Sequence, residues 1–288
     1  MKTVFIATDF SKASLNAAQF GASLADVMNA KIILFNAYNI PHSVPDSFVA
    51  VKPSEVKESA ENYLKEQADE LKKITSQQIQ IMAMEGSPVA LILEATKNIE
   101  NNIIVLGIKE EGKGVRRIFG STITGLMKKS ISPLLIVPEM IFLKSLHTIA
   151  LALDKDYECS DESIDVLKEM GAAFTSKLFI VKVLGANTSF VKELSHRSNR
   201  LLNKFKPLDI EYVFPKSKDI TNALNDFMEN HEINMLAVIP RQHTFFEKLF
   251  IKSETKKLIF HTSIPLLLLP EKNLRSIKST QKLQHQQI

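Results

Sequence analysis

The sequence predicts an α/β protein built from two tandem doubly wound, Rossmann-like domains, each a five-stranded parallel sheet flanked by helices. Three observations predict this fold. Short apolar, β-branched runs alternate with longer amphipathic segments, which is the pattern of βαβ units. The same alternation occurs in both halves of the chain. Finally, 288 residues with 45% hydrophobic content are enough to bury two hydrophobic cores.

The first half supplies five predicted strands and four predicted helices. Because consecutive strands are joined by helical crossovers, which are almost always right-handed, they are expected to pair in parallel. Ser11 is the predicted N-cap of the first helix, and Leu15, Ala18, Ala22 and Ala25 are predicted on its inner face. The strands are predicted at 3–8, 31–37, 79–83, 103–106 and 131–137, and the helices at 11–28, 54–74, 87–99 and 121–129.

The second half repeats the plan of the first. A strand at 147–153 leads to Asp154, as the first strand leads to Asp9, and PLLLLP at 265–270 restates PLLIVP at 133–138. We therefore predict a duplication, with one domain over 1–140 and a second, degenerate one over 145–271. The predicted elements between are a helix from Ser160, a strand at 178–184, a helix at 191–205, a strand at 210–214, a helix at 220–228 and a strand at 235–239. The polar, glutamine-rich tail, 272–288, is predicted to be disordered.

Composition limits the class of protein. The net charge of +4 does not indicate a nucleic-acid or membrane partner. Cys159 is the single cysteine, so neither a disulfide framework nor a thiolate metal site is expected. No apolar run approaches the length of a membrane-spanning helix, and the first residues form a strand rather than a signal peptide. A cytoplasmic protein is the expectation.

The segment from Ile103 to Pro138 contains five of the nine glycines in the chain. It is predicted to form a strand, a long glycine-rich loop, a helix with a hydroxyl at its start, and a buried strand. Glycine lets the backbone approach a ligand closely, and helix N-termini bind phosphate groups. The glycines are Gly107, Gly112, Gly114, Gly120 and Gly125.

A ligand of a parallel open sheet is held beyond the carboxyl ends of the strands, where the strand order reverses. The residues predicted there are Ala7, Thr8, Asp9, Asn36, Ala37, Gly107, Gly120, Ser121 and Thr122, with Lys113, Arg116 and Arg117 adding positive charge. Amides and hydroxyls at a helix start suit phosphate oxygens. An adenosine phosphate fits this set better than a metal or an acyl substrate, and neither metal ligands nor catalytic residues are predicted.

Through these residues the chain resembles the universal stress protein family in its tandem two-domain form. The family loop has a glycine, two residues, a glycine, nine residues, and a glycine followed by serine or threonine. Gly107 and Gly120-Ser121 match its outer positions. Three further segments are similar to family motifs: ATDFS at 7–11, LFNAY at 34–38 and EGSP at 85–88. The resemblance covers the first half throughout, and the second half by architecture only.

The resemblance implies a stress-response protein that binds ATP or AMP, with or without magnesium. By position it implies Asp9 and Ala37 for the nucleoside, and Gly107, Gly120, Ser121 and Thr122 for the phosphates. It also implies pairing through the fifth strands, so that 134–137 lies beside 266–269 and one chain forms a pseudo-dimer. A homodimer and an unidentified protein partner are further expectations.

The sequence departs from the family at two places. Glu110 replaces the middle glycine, so either its charge lowers nucleotide affinity or raises metal dependence, or Gly112 and Gly114 take over the role of that glycine. The matching stretch of the second half has no glycine, which predicts that this half has lost the site or never had one. Arg241 and His243 are expected in a solvated loop, with anion binding as the alternative.

Several of these residues also have a purely structural interpretation. Asp9 is equally well explained as an N-cap aspartate, and Ser121 and Thr122 as caps of the following helix. Gly125 is predicted to make a packing contact rather than to bind a ligand. Gly107 to Gly114 approaches a Walker A loop, but Gly114 stands where that loop needs a hydroxyl, so the match is interpreted as accidental.

Three functional hypotheses remain open at this point. The first is a binding module whose first half takes ATP or AMP and whose partner contacts change with occupancy. The second is an enzyme, a slow ATPase or a nucleotidyl transferase, for which Glu110 and Glu111 are the only candidate bases. The third is a ligand-free scaffold in which the two halves only assemble.

Overall fold

The computed structural model describes residues 2–40, 52–109, 119–153, 161–184, 203–239 and 264–270. The central part of the glycine-rich loop, the start of the helix predicted over 191–205, and the tail predicted over 272–288 lie outside these ranges. Within the described ranges, no helix has both the length and the apolarity needed to cross a membrane.

The first half alternates strands and helices as the sequence predicts. Its strands are β1 Thr3–Ala7, β2 Lys31–Tyr38, β3 Ile79–Glu85, β4 Asn102–Ile108 and β5 Leu134–Pro138, and its helices are α1 Lys12–Met28, α2 Pro53–Leu71, α3 Pro88–Thr96 and α4 Ser121–Lys129. Ser11 is the N-cap of α1 and accepts a hydrogen bond from the Ser14 N–H, as predicted.

The described parts of the second half follow the same plan. They contain β6 Thr148–Ala152, α5 Asp161–Ala173, β7 Lys177–Val181, β8 Asp209–Val213, α6 Ile220–Asn230, β9 Met235–Val238 and β10 Leu266–Leu268. Each described strand falls where the sequence predicts one. The alternation of strand and helix in this half is therefore confirmed wherever the structure describes it.

The strands form one ten-stranded sheet in the order β3-β2-β1-β4-β5-β10-β9-β6-β7-β8. Within each half, neighbouring strands are parallel. The strand order of the second half mirrors that of the first. In the first half the order reverses between β1 and β4, which is the switch point at which such folds hold ligands.

The two halves join through β5 and β10, which pair antiparallel with Leu267 opposite Leu135. Because this junction is antiparallel, the carboxyl ends of the strands in the first half and those in the second half lie at opposite edges of the sheet. The two halves thus share one sheet, but any ligand crevices they form face away from each other.

Buried side chains form a core on each face of the sheet. Residues alternate between the faces along each strand: Ile6 belongs to the α1 face, whereas Phe5 and Ala7 belong to the α3 and α4 face. Both cores contain side chains from both halves. Ile6 and Leu151 belong to the same buried cluster, so burial is continuous across the β5–β10 junction.

The prediction for Leu15 is wrong, because this side chain is 39% exposed. Ala18, Ala22 and Ala25 are buried as predicted. The buried stripe of α1 is wide and includes Ala13, Ala17, Phe20, Gly21, Leu24 and Met28. Leu15 falls in the narrow exposed stripe opposite, although its spacing to the three alanines fits one face of a helix.

The start of the fifth strand was also predicted too early. Ile131 is 64% exposed and precedes β5. The Ser130 hydroxyl donates to the Ser132 carbonyl at 2.9 Å and accepts from the Ser132 N–H at 3.1 Å. This turn holds Ile131 outside the sheet, and the strand begins only after Pro133.

Candidate functional site

The candidate site lies at the carboxyl edge of β1, β2 and β4. Ala7 ends β1, and the chain then turns through Thr8, Asp9 and Phe10 to the N-cap of α1 at Ser11. Phe10 has φ of 61°, a left-handed conformation that is uncommon for a residue with a side chain. The sharp turn leaves Asp9 exposed at this edge of the sheet.

Hydrogen bonds fix the turn that carries Asp9. The Asp9 carboxylate accepts from the Ser11 N–H at 3.0 Å, and the Asp9 N–H donates to Ser14 Oγ at 3.3 Å. Thr8 Oγ1 lies 3.2 Å from the same Ser14 Oγ and accepts from the Phe10 N–H at 3.1 Å. Asp9 is therefore not the N-cap of α1, since that position belongs to Ser11.

The pKa of Asp9 is lowered below the ordinary value for an aspartate. Although Asp9 as a residue is exposed, the surrounding turn partly shields its carboxylate from water, and this desolvation is the largest single influence and opposes ionisation. Hydrogen bonds from the Ser11 and Ser14 hydroxyls and from the Ser11 N–H together outweigh it. At neutral pH the side chain is an ionised acceptor, so it suits a ligand that brings hydroxyl or N–H donors.

Strand β2 brings Asn36 and Ala37 to the same edge. The Asn36 side chain is buried, and its Nδ2 donates to the Thr8 carbonyl at 2.8 Å, which ties β2 to the turn after β1. Ala37 and Ala7 are partly exposed and pack against the core on the α3 and α4 face. Two small side chains on neighbouring strands thus leave room on that face.

Gly107 lies inside β4, opposite Val137 of β5, and not in the loop that follows. A Cβ atom placed on it would lie 2.3 Å from the Ala13 carbonyl oxygen and 2.7 Å from the Ser14 nitrogen. The space beside Gly107 is therefore filled by the backbone of α1. This packing by itself accounts for a glycine at position 107.

Gly120 differs from Gly107 in its surroundings. It is the N-cap of α4, with φ of −61°, and a Cβ placed on it would meet no atom of the part of the chain that the structure describes within 4 Å. Neither its conformation nor the packing of the described residues requires glycine there. Open space beside a helix start is what an approaching ligand needs.

The start of α4 has no side-chain cap. The predicted hydroxyls therefore do not act as caps: Ser121 is exposed in the first turn and Thr122 is partly exposed. Ile123 packs into the core on the same face as Ala7 and Ala37, with Phe119 against it. This contact places the uncapped helix start on the face where the small side chains leave room.

The structure also tests the predictions for Gly125 inside α4 and for Ser87 at the start of α3. Gly125 makes the predicted packing contact, because a Cβ there would lie 2.8 Å from Val89 Cγ2. Ser87 occupies the N-cap position of α3, with Pro88 at the first turn, as predicted. Its side chain makes no capping hydrogen bond, so its contribution to α3 is smaller than that of Ser11 to α1.

Several predicted site residues lie outside the described residues. In the first half these are Lys113, Arg116 and Arg117, together with Glu110, Gly112 and Gly114. In the second half, Asp154, Arg241 and His243 lie outside as well. The alternatives for Glu110, and the predicted loss of the second site, remain predictions. Among the residues that the structure describes, no three His, Cys, Asp or Glu side chains form a group that would hold a metal ion.

Ser14 is the site residue that sequence reasoning missed. It is buried, and its hydroxyl contacts Thr8, the Asp9 N–H and the Ser11 carbonyl, the last at 3.0 Å. The sequence feature that could have identified Ser14 is its position three residues after the predicted N-cap, Ser11. Without the turn geometry, that spacing is explained fully by the first turn of a helix.

A separate cavity of about 550 Å³ opens at the opposite edge of the sheet. Its wall contains the start of β1, the loop before β4, and one face of α5. Lys2 pairs there with Glu169 of the second half at 3.3 Å. The cavity is at the amino ends of the first-half strands, so it is separate from the candidate site at their carboxyl ends.

The fold and the site define a doubly wound α/β protein whose candidate site, at the carboxyl edge of the first half, combines an acidic turn with a helix start that has glycine as its N-cap. The model of the universal stress protein family matches residues 1–138. The first half of the chain therefore belongs to this family, and the length of 288 residues with a second domain fits its tandem form. A search of curated proteins found no match.

Solved structures support the fold of the whole chain. A universal stress protein from Archaeoglobus fulgidus DSM 4304 is 17% identical, with a TM-score of 0.74 over 94% of this chain and 98% of its own. A functionally unknown protein from Pseudomonas aeruginosa PAO1 is 11% identical, with a TM-score of 0.58 over 94% and 92%. At these identities the likeness shows the tandem α/β fold alone.

A third match is a universal stress protein whose structure was solved in complex with cAMP. It is 25% identical and covers 47% of this chain and 96% of its own, with a TM-score of 0.38. The cAMP belongs to that protein, and a likeness at this TM-score carries no conclusion about the ligand of this chain.

Proposed function

We propose that this chain is a stress-response regulatory module that binds an adenine nucleotide, ATP or AMP, in the crevice of its first half. One observation carries the proposal. The uncapped start of α4, with open space beside Gly120, and the ionised Asp9 lie at the same carboxyl edge of the sheet. A phosphate and a nucleoside need these two kinds of group in one crevice.

The phosphates are assigned to the start of α4. Among the described residues no side chain caps the backbone N–H groups of its first turn, because the N-cap residue is Gly120, and the positive end of the helix dipole favours an anion. Gly120 leaves room for phosphate oxygens to reach these groups, and the hydroxyls of Ser121 and Thr122 add donors. Lys113 is proposed to contribute its charge from the loop.

The nucleoside is assigned to Asp9, Ala7 and Ala37. An ionised carboxylate accepts hydrogen bonds from ribose hydroxyls, and the two partly exposed alanines offer small apolar side chains for a base to pack on. Thr8 contributes its carbonyl oxygen, which keeps a second lone pair beside the hydrogen bond from Asn36, because its N–H and its hydroxyl are already bonded within the protein. Magnesium, where it takes part, is proposed to bind with the phosphates and not as a separate protein site.

The test is a titration of ATP into the wild type and a Gly120→Val variant. Because a Cβ at Gly120 meets no atom of the described residues within 4 Å, valine is expected to leave folding intact while blocking the approach of phosphate oxygens. We expect binding of a single nucleotide per chain in the wild type, weakened by about tenfold or more in the variant. Ser87→Val is a matched control, since Ser87 is also an N-cap without a side-chain hydrogen bond.

Mass spectrometry of the protein purified without added ligand gives a second, independent measurement. We expect AMP or ATP to be released on denaturation of the wild type and to be absent from Gly120→Val. Equal heats from the two proteins, or no heat from the wild type, would favour the scaffold hypothesis over nucleotide binding.

The regulatory part of the proposal concerns the second half and protein partners. The β5–β10 pairing supports a pseudo-dimer within one chain, in which the second half serves as a structural partner without a nucleotide. Occupancy is proposed to change the surface around Asp9 and the start of α4 that a partner contacts. Hydrogen exchange should slow at these two segments when ATP is added to the wild type, and should stay unchanged for Gly120→Val.

A further inference from the structure

The first turn of α1 contacts two parts of the candidate crevice at once. On one side, Ala13 and Ser14 lie against Gly107, with the Ala13 carbonyl carbon 2.4 Å from the place of a Cβ. On the other side, Ser14 Oγ accepts from the Asp9 N–H and lies within hydrogen-bond distance of Thr8 Oγ1. The seating of α1 on β4 and the conformation of the Asp9 turn are therefore mechanically linked.

We propose that Gly107 is a positioning residue for Asp9: by admitting the backbone of α1 against β4, it places Ser14 where its hydroxyl holds the Asp9 turn. The inference rests on the proposed function, in which Asp9 contacts the nucleoside. This role differs from a phosphate contact by Gly107, because the side of Gly107 on which a Cβ would lie is packed against α1 and is not on the face that Ala7 and Ala37 share.

The distances show why only glycine permits this arrangement. A real Cβ does not approach a backbone atom to 2.3 Å, so alanine at 107 would displace the first turn of α1. The contacts are to backbone atoms, which no rotamer change moves away. The hydrogen bonds between Ser14 and the turn are already 3.2 and 3.3 Å long, so a shift of about half an ångström would break them.

The experiment compares adenosine with ATP on wild type, Gly107→Ala, Ser14→Ala and Gly120→Val. Gly107→Ala and Ser14→Ala are each expected to lower the affinity for adenosine and the affinity for ATP by the same factor, about five- to tenfold. The two ligands should be affected equally because both substitutions disturb the contact with the nucleoside, which adenosine and ATP share. Gly120→Val is expected to lower the affinity for ATP, whereas the affinity for adenosine, which has no phosphate, should stay within about twofold of the wild-type value. A loss of ATP affinity alone in Gly107→Ala would overturn the inference, as would unchanged affinity for both ligands.

The pKa of Asp9, measured by NMR of its carboxyl carbon, gives a readout that needs no nucleotide. Ser14→Ala removes a hydroxyl that helps to lower this pKa, so the value should rise, and Gly107→Ala should raise it too. A merely structural role for Gly107 would lower the melting temperature and leave the pKa unchanged, which would contradict the inference. If Gly107→Ala does not fold, Ser14→Ala decides: an unchanged Asp9 pKa and unchanged adenosine affinity in that variant would contradict the inference, because the proposed effect of Gly107 on Asp9 passes through the Ser14 hydroxyl.

The two proposals fail differently. A wild type that binds neither adenosine nor ATP contradicts the proposed function, whatever the pKa of Asp9 does. A wild type that binds both, combined with variants whose Asp9 pKa is unchanged, leaves nucleotide binding in place and contradicts the positioning role.

Discussion

The buried side chain of Asn16 donates from Nδ2 to the carbonyl oxygen of Pro138 at 2.9 Å, and the same nitrogen donates to the Ile141 carbonyl at 2.8 Å. Pro138 ends β5, and Ile141 lies in the segment that leads to the second half. A single amide in α1 thus satisfies two carbonyls at the exit from the first half. The start of the segment between the halves is held by α1 through these two bonds.

We predict that Asn16→Asp destabilises the protein by about 3 kcal/mol at neutral pH. The substitution keeps the shape of the side chain but replaces a donor with an acceptor, so an oxygen faces two carbonyl oxygens in a buried place. Urea unfolding of the variant measures the loss. Asn98→Asp, at an exposed position, is the matched control and should stay within about 0.5 kcal/mol of wild type.

The contact between Gly125 and Val89 predicts a coupled pair of mutations. Alanine at 125 would favour the helix by up to about 1 kcal/mol, but its Cβ would lie 2.8 Å from Val89 Cγ2. We expect Gly125→Ala to destabilise wild type by about 1 kcal/mol and to stabilise a Val89→Ala background by a similar amount. Denaturant unfolding of the four proteins gives the coupling, and additive effects would show that the two residues do not interact.

The strand pattern and the tandem fold were predictable from sequence because each depends on local apolar runs and their repetition. The α1 pattern shows the limit of that argument. Leu15 has the right spacing to the buried alanines. However, most of the surface of α1 is buried, and Leu15 lies on the narrow exposed side of the helix. How widely a helix is covered depends on neighbours that one helix does not encode.

The candidate site was predictable in its location but not in the role of each residue. Topology alone brings Asp9, Ala37 and Gly120 to one edge of the sheet. Gly107 and Gly120 look alike in the motif, yet one faces the α1 backbone and the other faces open space. Ser14 shows the same limit, because a helix-start serine reveals its contact with the Asp9 turn only when the turn geometry is known.

Asp26 predicts a loss of stability at acidic pH. Hydrogen bonds from the Thr75 hydroxyl, at 2.8 Å, and from the Ser76 N–H, at 3.1 Å, lower the pKa of Asp26 and join α1 to the segment after α2. The folded pKa of Asp26 lies below the unfolded value of about 3.9. The stabilisation of the folded state by ionised Asp26 is therefore complete at pH values above the unfolded pKa, and it is lost as the pH falls through the folded pKa.

The measurement for Asp26 is the urea midpoint of wild type and Asp26→Asn, at pH 7 and at a pH below the folded pKa of Asp26, which itself lies below the ordinary aspartate value. The variant should be less stable at pH 7, and the difference should shrink at acidic pH, where the wild-type carboxylate is protonated. Asp226→Asn, an exposed aspartate on α6, is the control and should show neither effect. A constant difference between wild type and Asp26→Asn at both pH values would contradict the prediction.

The junction between β5 and β10 predicts that the two halves unfold as one unit. Leu267 and Leu135 are fully buried opposite each other, and the core on that face contains side chains from both halves. Calorimetry should therefore show a single transition whose van't Hoff and calorimetric enthalpies agree. Leu267→Ala leaves a cavity at the junction and should cost about 3 kcal/mol without splitting the transition. Two resolved transitions in the wild type would show that the shared sheet does not couple the halves, and a split confined to Leu267→Ala would show that this one pair of strands provides most of the coupling.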